Sequence, residues 1–220
     1  MKILILNILK FLRCRLKRIG LKHGLRYQQI YDIIKKNGPK NILEIGVYDG
    51  ENAIRMLKIN PTIKTNYYGF DLFEDITRLQ FQKEIAIQPL TLKKVEDKIL
   101  EETNTNPHLY KYDTLKLKKS FFKKFPKMDL IFIDGGHSIE TQRNDWSLIK
   151  NLMHKNTIVI IDDYWNLPNS GCSFMTEELD RKKYNLKVLP IIDYYAHEWG
   201  ILKTQFLKIT LNKPKNVELK

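Results

Sequence analysis

Apolar residues recur along this chain in two patterns. Stripes at every third or fourth position predict helices, and short continuous runs predict strands covered on both faces. The first stripe, Ile5, Ile8, Leu9, Leu12, Leu16 and Ile19, turns Lys10, Arg13 and Lys17 to the opposite face, so Met1 to about Ile19 is a basic amphipathic helix. A second helix runs from Leu25 to Lys36, with Ile30, Ile33 and Ile34 inward, and Asn37-Gly38-Pro39 ends it. The run Ile42-Leu43-Glu44-Ile45 is a strand closed by Gly46, and a helix follows through Ala53, Ile54, Met56 and Leu57, stopping before Pro61. Further strands are expected at Thr65–Phe70, His108–Tyr112, Met128–Ile133 and Thr157–Ile161, and weaker ones at Leu186–Leu189 and Phe206–Leu211, the last antiparallel. Helices are expected from Thr91 to Leu100 and over 138–153, the latter with Ile139, Trp146, Ile149 and Met153 inward. Residues 74–107 carry no chemical motif and read as a lid or a surface insertion. Strands alternating with helices define an α/β fold around a mostly parallel sheet with helices on both faces.

The joints between these elements carry the candidate chemistry. Glu44-x-Gly46-x-Tyr48-x-Gly50 lies between a strand and a helix. Its glycines tolerate positive φ and admit a ligand close to the main chain, while the helix start offers unpaired N–H groups. The spacing differs from the GxGxxG of dinucleotide enzymes. Asp71, at the end of the second strand and about 20 residues on, suits the hydroxyls of a ribose; the plain alternative is a loop or capping acid. Asp113 ends the third strand and is equally a helix cap. Asp134 ends the fourth strand and Asp162-Asp163 end the fifth. Strand ends meet at one edge of such a sheet, so these three carboxylates converge. They would repel unless a cation lay among them, and a hard divalent ion such as Mg²⁺ is the expected partner. His137 titrates near neutrality and suits a base or a metal ligand.

Composition narrows the setting. The 220 residues carry +13, but the first 40 hold eleven Lys/Arg against Asp32 alone, and residues 212–220 add +2. The central span is therefore near +1, which argues against a phosphate-tracking groove and hence against nucleic acid. Cys14 and Cys172 form no spacing motif, consistent with a reducing, cytoplasmic compartment. Charges interrupt the first helix too early for a membrane span. Residues 1–20 would either lie on the inner membrane face or pack on the protein itself or on a second copy in a homodimer. The expected layout is an N-terminal extension over 1–38, a single α/β domain over 39–212 and a basic tail over 213–220.

The stretches ILEIGVYDGENA, YYGFDLFED, DLIFIDGGHSIETQRNDW and TIVIIDDYW resemble class I S-adenosylmethionine (SAM)-dependent methyltransferases, in particular the macrocin O-methyltransferase and cephalosporin-hydroxylase-like group. The resemblance spans about Leu25 to Trp165. It implies a Rossmann-like seven-stranded sheet, with Glu44, Gly46, Tyr48 and Gly50 beside the methionine part of SAM, Asp71 on its ribose and Asp113 near its adenine. It further implies Asp134, Asp162 and Asp163 as ligands of Mg²⁺ or another divalent cation, with Asp134 and His137 as the catalytic pair. The acceptor would be a hydroxyl of a small molecule, sugar or glycan. Asn156 stands where the group often has glycine, and residues 166–206 match nothing recognisable. An RNA or protein methyltransferase and an inactive scaffold at a membrane surface are the competing readings.

Overall fold

The computed structural model describes residues 24–83, 90–197 and 200–212. The amphipathic segment at 1–19 and the basic tail, with the membrane and homodimer readings attached to them, lie outside the described residues. Among the described residues, no helix is long and apolar enough to cross a membrane.

The first described helix, α1 (Gln28–Asn37), follows a single 3₁₀ turn, Leu25–Tyr27. Gly38 ends it in the left-handed conformation, its N–H returning to the Ile34 carbonyl at 2.9 Å. Chain order then gives β1 (Asn41–Ile45), α2 (Glu51–Lys58), β2 (Asn66–Asp71), α3 (Arg78–Lys83), α4 (Leu92–Thr103), β3 (His108–Lys111) and β4 (Met128–Ile133). After these come α5 (Ile139–Ile149), β5 (Met153–Trp165), α6 (Met175–Glu178), β6 (Tyr184–Val188), β7 (Asp193–His197) and β8 (Gly200–Leu211). The strands form one sheet in the order β3-β2-β1-β4-β5-β8-β6. β1 to β5 pair in parallel, and β8 runs antiparallel to β5, β6 and β7.

This is the Rossmann-like α/β architecture expected, with one more strand. β8 is twelve residues long, enough for its first half to pair β7 through residues 200–204 while its second half pairs β6 through 207–211. β5 is also longer than its apolar run, because Met153 already pairs Met128 of β4. Met153 thus belongs to the sheet and not to the preceding helix, which ends at Ile149.

Alternation along the strands separates two cores. Ile131 and Ile133 of β4 join Phe70, Val159, Ile161 and Leu207 under α5, which contributes Trp146, Leu148 and Ile149. Leu130 and Phe132 face the other way, toward Ile30 and Ile34 of α1, Ala53 and Met56 of α2, and Val95 and Ile99 of α4. The helix α1 is therefore part of the domain's own core. Truncating Ile30, which is fully buried, to Ala is expected to cost about 2–5 kcal/mol. Urea denaturation measures this, and a loss below about 1 kcal/mol would mean that α1 is only an appendage.

Candidate active site

The turn after β1 is tied down by the protein itself. The Asp71 carboxylate at the end of β2 accepts the N–H groups of Val47 and Tyr48 through Oδ2, both at 2.8 Å, and that of Phe73 through Oδ1 at 2.8 Å. Gly46 (φ +92°) could carry no side chain, since a Cβ would stand 2.0 Å from the carbonyl oxygen of Asp134. Gly50 (φ +75°) opens α2 against Val95 and Ile99 of α4. Tyr48 also adopts positive φ and leaves its ring exposed.

Glu44 does not face the cleft. It is 1% exposed, taking a hydrogen bond from Asn52 Nδ2 at 2.7 Å and another from the Tyr67 hydroxyl. Burial pushes its carboxyl up to about 7, and the Tyr67 and Asn52 bonds pull the other way. Asp113 caps the turn after β3 by accepting from Leu115 N–H at 3.0 Å, and it accepts from Gln80 Nε2 at 2.9 Å. It edges a cavity of about 340 Å³ bounded also by Leu72, Thr77, Gln80, Tyr112 and Leu117.

The three strand-end aspartates do converge. Successive residues of a strand point to opposite faces. A bulge between Ile161 and Tyr164, with Asp163 at φ +63°, turns β5 so that Asp162 meets the segment before α1 and Asp163 meets His137. His137 Nδ1 is hydrogen-bonded to Asp163 Oδ2, and its ring leans on Trp165 with centroids 5.2 Å apart. The carbonyl of His137 accepts Gly171 N–H at 2.7 Å and Ser170 Oγ at 2.9 Å, which fastens the following loop to the site. Gly171 is needed there, because a Cβ would fall 2.1 Å from the Asp163 carbonyl oxygen.

Two residues absent from the sequence-based site complete it. Arg26 grips Asp162 with two hydrogen bonds, Nε to Oδ1 at 3.0 Å and a terminal nitrogen to Oδ2 at 2.6 Å. Its other terminal nitrogen donates to Asp193 Oδ2 at 2.8 Å and to the Tyr195 hydroxyl at 2.6 Å, both on β7. The Tyr27 hydroxyl donates to Asp134 at 2.6 Å and lies 3.3 Å from Asp162. Arg26 sits in the strongly basic start of the chain and is 136 positions from Asp162, so no spacing links the two.

The charges settle accordingly. Burial raises Asp134 well above the usual carboxylate range, and the neighbouring Asp162 and Asp163 raise it further. Burial also pushes Asp162 upward, but Arg26 outweighs it and leaves Asp162 below its ordinary value. Asp163 is raised by burial, with His137 pulling it back. The pull on the acids is therefore unequal, toward the neutral form at Asp134 and toward the ionised form at Asp162, which faces Arg26.

This arrangement does not fit the expected Mg²⁺. Asp162 has both oxygens on the guanidinium, Asp163 is bonded to His137, and Asp134 accepts from the Tyr27 hydroxyl. Among the described residues, no three acids, histidines or cysteines form a group able to hold an ion. Arg26 is the cation that meets Asp162.

Comparison with known proteins accords with the fold. A family model described as a methyltransferase domain, methyltransferase family 24, matches residues 43–164. The chain belongs to this methyltransferase family. Solved structures share its fold at low identity. The O-methyltransferase TomG of Streptomyces achromogenes, involved in tomaymycin synthesis and solved with SAM, is 12% identical with a TM-score of 0.57, covering 92% of this chain and 89% of its own. An SAH-bound methyltransferase of Podospora anserina is 13% identical with a TM-score of 0.59, covering 93% and 86%. An O-methyltransferase of Bacillus cereus in complex with SAH is 14% identical with a TM-score of 0.55, covering 93% and 90%. No curated protein sequence matches the chain.

Glu44 gives a test of the turn. Its folded-state pKa of about 7 lies above the ordinary 4.5, so the folded state binds the extra proton. The contribution is fully present below about pH 4.5 and is lost as pH rises toward 7, about 3 kcal/mol in all. Gln mimics the protonated acid. Glu44→Gln is expected to exceed the wild type in stability at pH 8 and to match it near pH 4.5. Parallel urea curves at both pH values would expose the opposite trend if the sign were wrong.

Proposed function

We propose that this protein transfers the methyl group of SAM to a hydroxyl of a small molecule or sugar, in the cytoplasm. The observation that carries the reading is the His137–Asp163 pair, held at the same sheet edge as the glycine turn, with Gly46 packed against the Asp134 backbone. Family membership supports the reaction class, and the SAM and SAH complexes of fold relatives support the donor.

In this reading the turn from Gly46 to Gly50, set by Asp71, holds the methionine end of SAM. Asp71 already binds three amides, yet each carboxylate oxygen has two lone pairs, so it retains capacity for a ribose hydroxyl. The cavity beside Asp113 takes the adenine. Glu44 acts through Asn52 and Tyr67 on the turn's foundations, without touching the donor.

With Nδ1–H donated to Asp163, the basic nitrogen of the imidazole is Nε2, which takes the proton in this reading. The acceptor oxygen attacks the methyl carbon, the carbon–sulfur bond breaks with its electron pair going to sulfur, and the hydroxyl proton passes to His137. Asp163 then stabilises the imidazolium. Positioning supplies much of the acceleration, since the oxygen must approach in line with the departing sulfur.

Two variants separate binding from chemistry. Asp71→Ala is expected to weaken SAM binding more than about tenfold, a loss of about 1.4 kcal/mol, in calorimetric titration. His137→Ala is expected to leave SAM affinity within about threefold while slowing turnover about 10²–10⁴-fold, measured by SAH release with a panel of sugars and phenols. Undiminished turnover in His137→Ala would remove the base assignment, and a wild type that binds no SAM would remove the reading itself.

A further inference from the structure

We propose that Arg26 is a built-in cation that takes the place of a divalent ion in the carboxylate cluster and positions Asp162, and with it Asp134, without metal. The argument is geometric. Arg26 is buried, its side chain 7% exposed, and meets the 1% exposed carboxylate of Asp162 in a two-pronged contact. Such fork-to-fork pairing fixes the plane of the carboxylate as well as its charge. The guanidinium is anchored from behind by Asp193 and Tyr195, and it stands 5.3 Å from the centre of the Phe206 ring.

The approach of the backbone is equally specific. Asp193 Oδ1 accepts Leu25 N–H at 2.9 Å and Oδ2 lies 3.3 Å from Arg26 N. A Cβ on Gly24 would stand 1.8 Å from Asp193 Oδ2, so the chain enters the cluster where glycine removes the obstacle. Tyr27, next in sequence, fills the remaining gap by donating to Asp134. Gly24, Arg26 and Tyr27 together deliver one positive charge and one hydroxyl to the place a hydrated ion would fill.

The inference deepens the methyl-transfer reading and rests on it only for the statement that the chemistry is metal-independent. Its test uses full-length protein freed of metal with EDTA and titrated with Mn²⁺ alone, following the free-ion electron paramagnetic resonance signal. The wild type is expected to show no site tighter than about 1 mM. Arg26→Gln, which removes the charge and leaves the carboxylates, is expected to gain one Mn²⁺ site. Arg26→Lys, which keeps the cation, is expected to gain none.

A tight wild-type Mn²⁺ site overturns the proposal without recourse to any variant. So does a folded Arg26→Gln protein that binds no ion, since the guanidinium would then not be what excludes it. SAM titrated in the same buffers keeps the two readings apart. Binding unchanged by EDTA supports the proposal, whereas SAM affinity that requires Mn²⁺ overturns it. Absence of SAM binding in every buffer would remove the methyl-donor reading and leave the Mn²⁺ result to decide the role of Arg26.

Discussion

A charge taken out of water must find an opposite charge or give up its ionised form, and this constraint governs the cleft. The Arg26–Asp162 pair has left solvent almost completely, and breaking such a pair by removing one partner typically costs about 3–5 kcal/mol. Much else is arranged around it. The bulge in β5 aims Asp162 at Arg26, β7 exists as a strand that brings Asp193 and Tyr195 behind the guanidinium, and burial beside Asp162 pushes Asp134 toward its neutral form. Tyr27 joins the polar cluster to the apolar core, where its ring meets Phe132 and Phe206 edge-on at 6.1 and 5.3 Å.

Around the glycine turn, too, the partners come from the protein itself. Asp71 holds the backbone from the front, while Glu44, Asn52 and Tyr67 hold it from below, and Tyr31 of α1 extends the chain to Asn52 Oδ1 at 3.1 Å. A backbone fixed in advance spares a ligand the entropy of ordering it. The two halves of the cleft meet where Gly46 presses on the backbone of Asp134, so the turn and the carboxylate cluster share one rigid joint.

The sheet was legible because its strands are apolar on both faces and its helices are striped; the runs at Ile42–Ile45 and Met128–Ile133 appear as strands, and Ile30 and Ile34 are buried as the stripe requires. The convergence of Asp134, Asp162 and Asp163 followed from the rule that strand ends share an edge. The source of the balancing cation did not follow. A basic residue in a run of basic residues reads as solvated, and only the folded chain brings Arg26 back to β5. β7 was missed for a related reason: Asp193–His197 alternates weakly, and its partner is the unexpectedly long β8. Glu44 shows a third limit, since an acid beside a glycine turn reads as ligand-facing whether it points into the cleft or into the core.

The contact between residues 24–27 and β7 also has a consequence for how the protein comes into being. Its partners are separated by more than 160 positions, with Leu25 bonded to Asp193 at a separation of 168. During synthesis, strands β1 to β5 emerge first and bring Asp162 to Arg26, but the second set of partners of Arg26 is missing until the segment around Asp193 and Tyr195 has left the ribosome and β8 has docked beside β5. Until then Arg26 has only half of its anchorage. The cluster thus gains its full set of partners only when both ends of the described chain are in place.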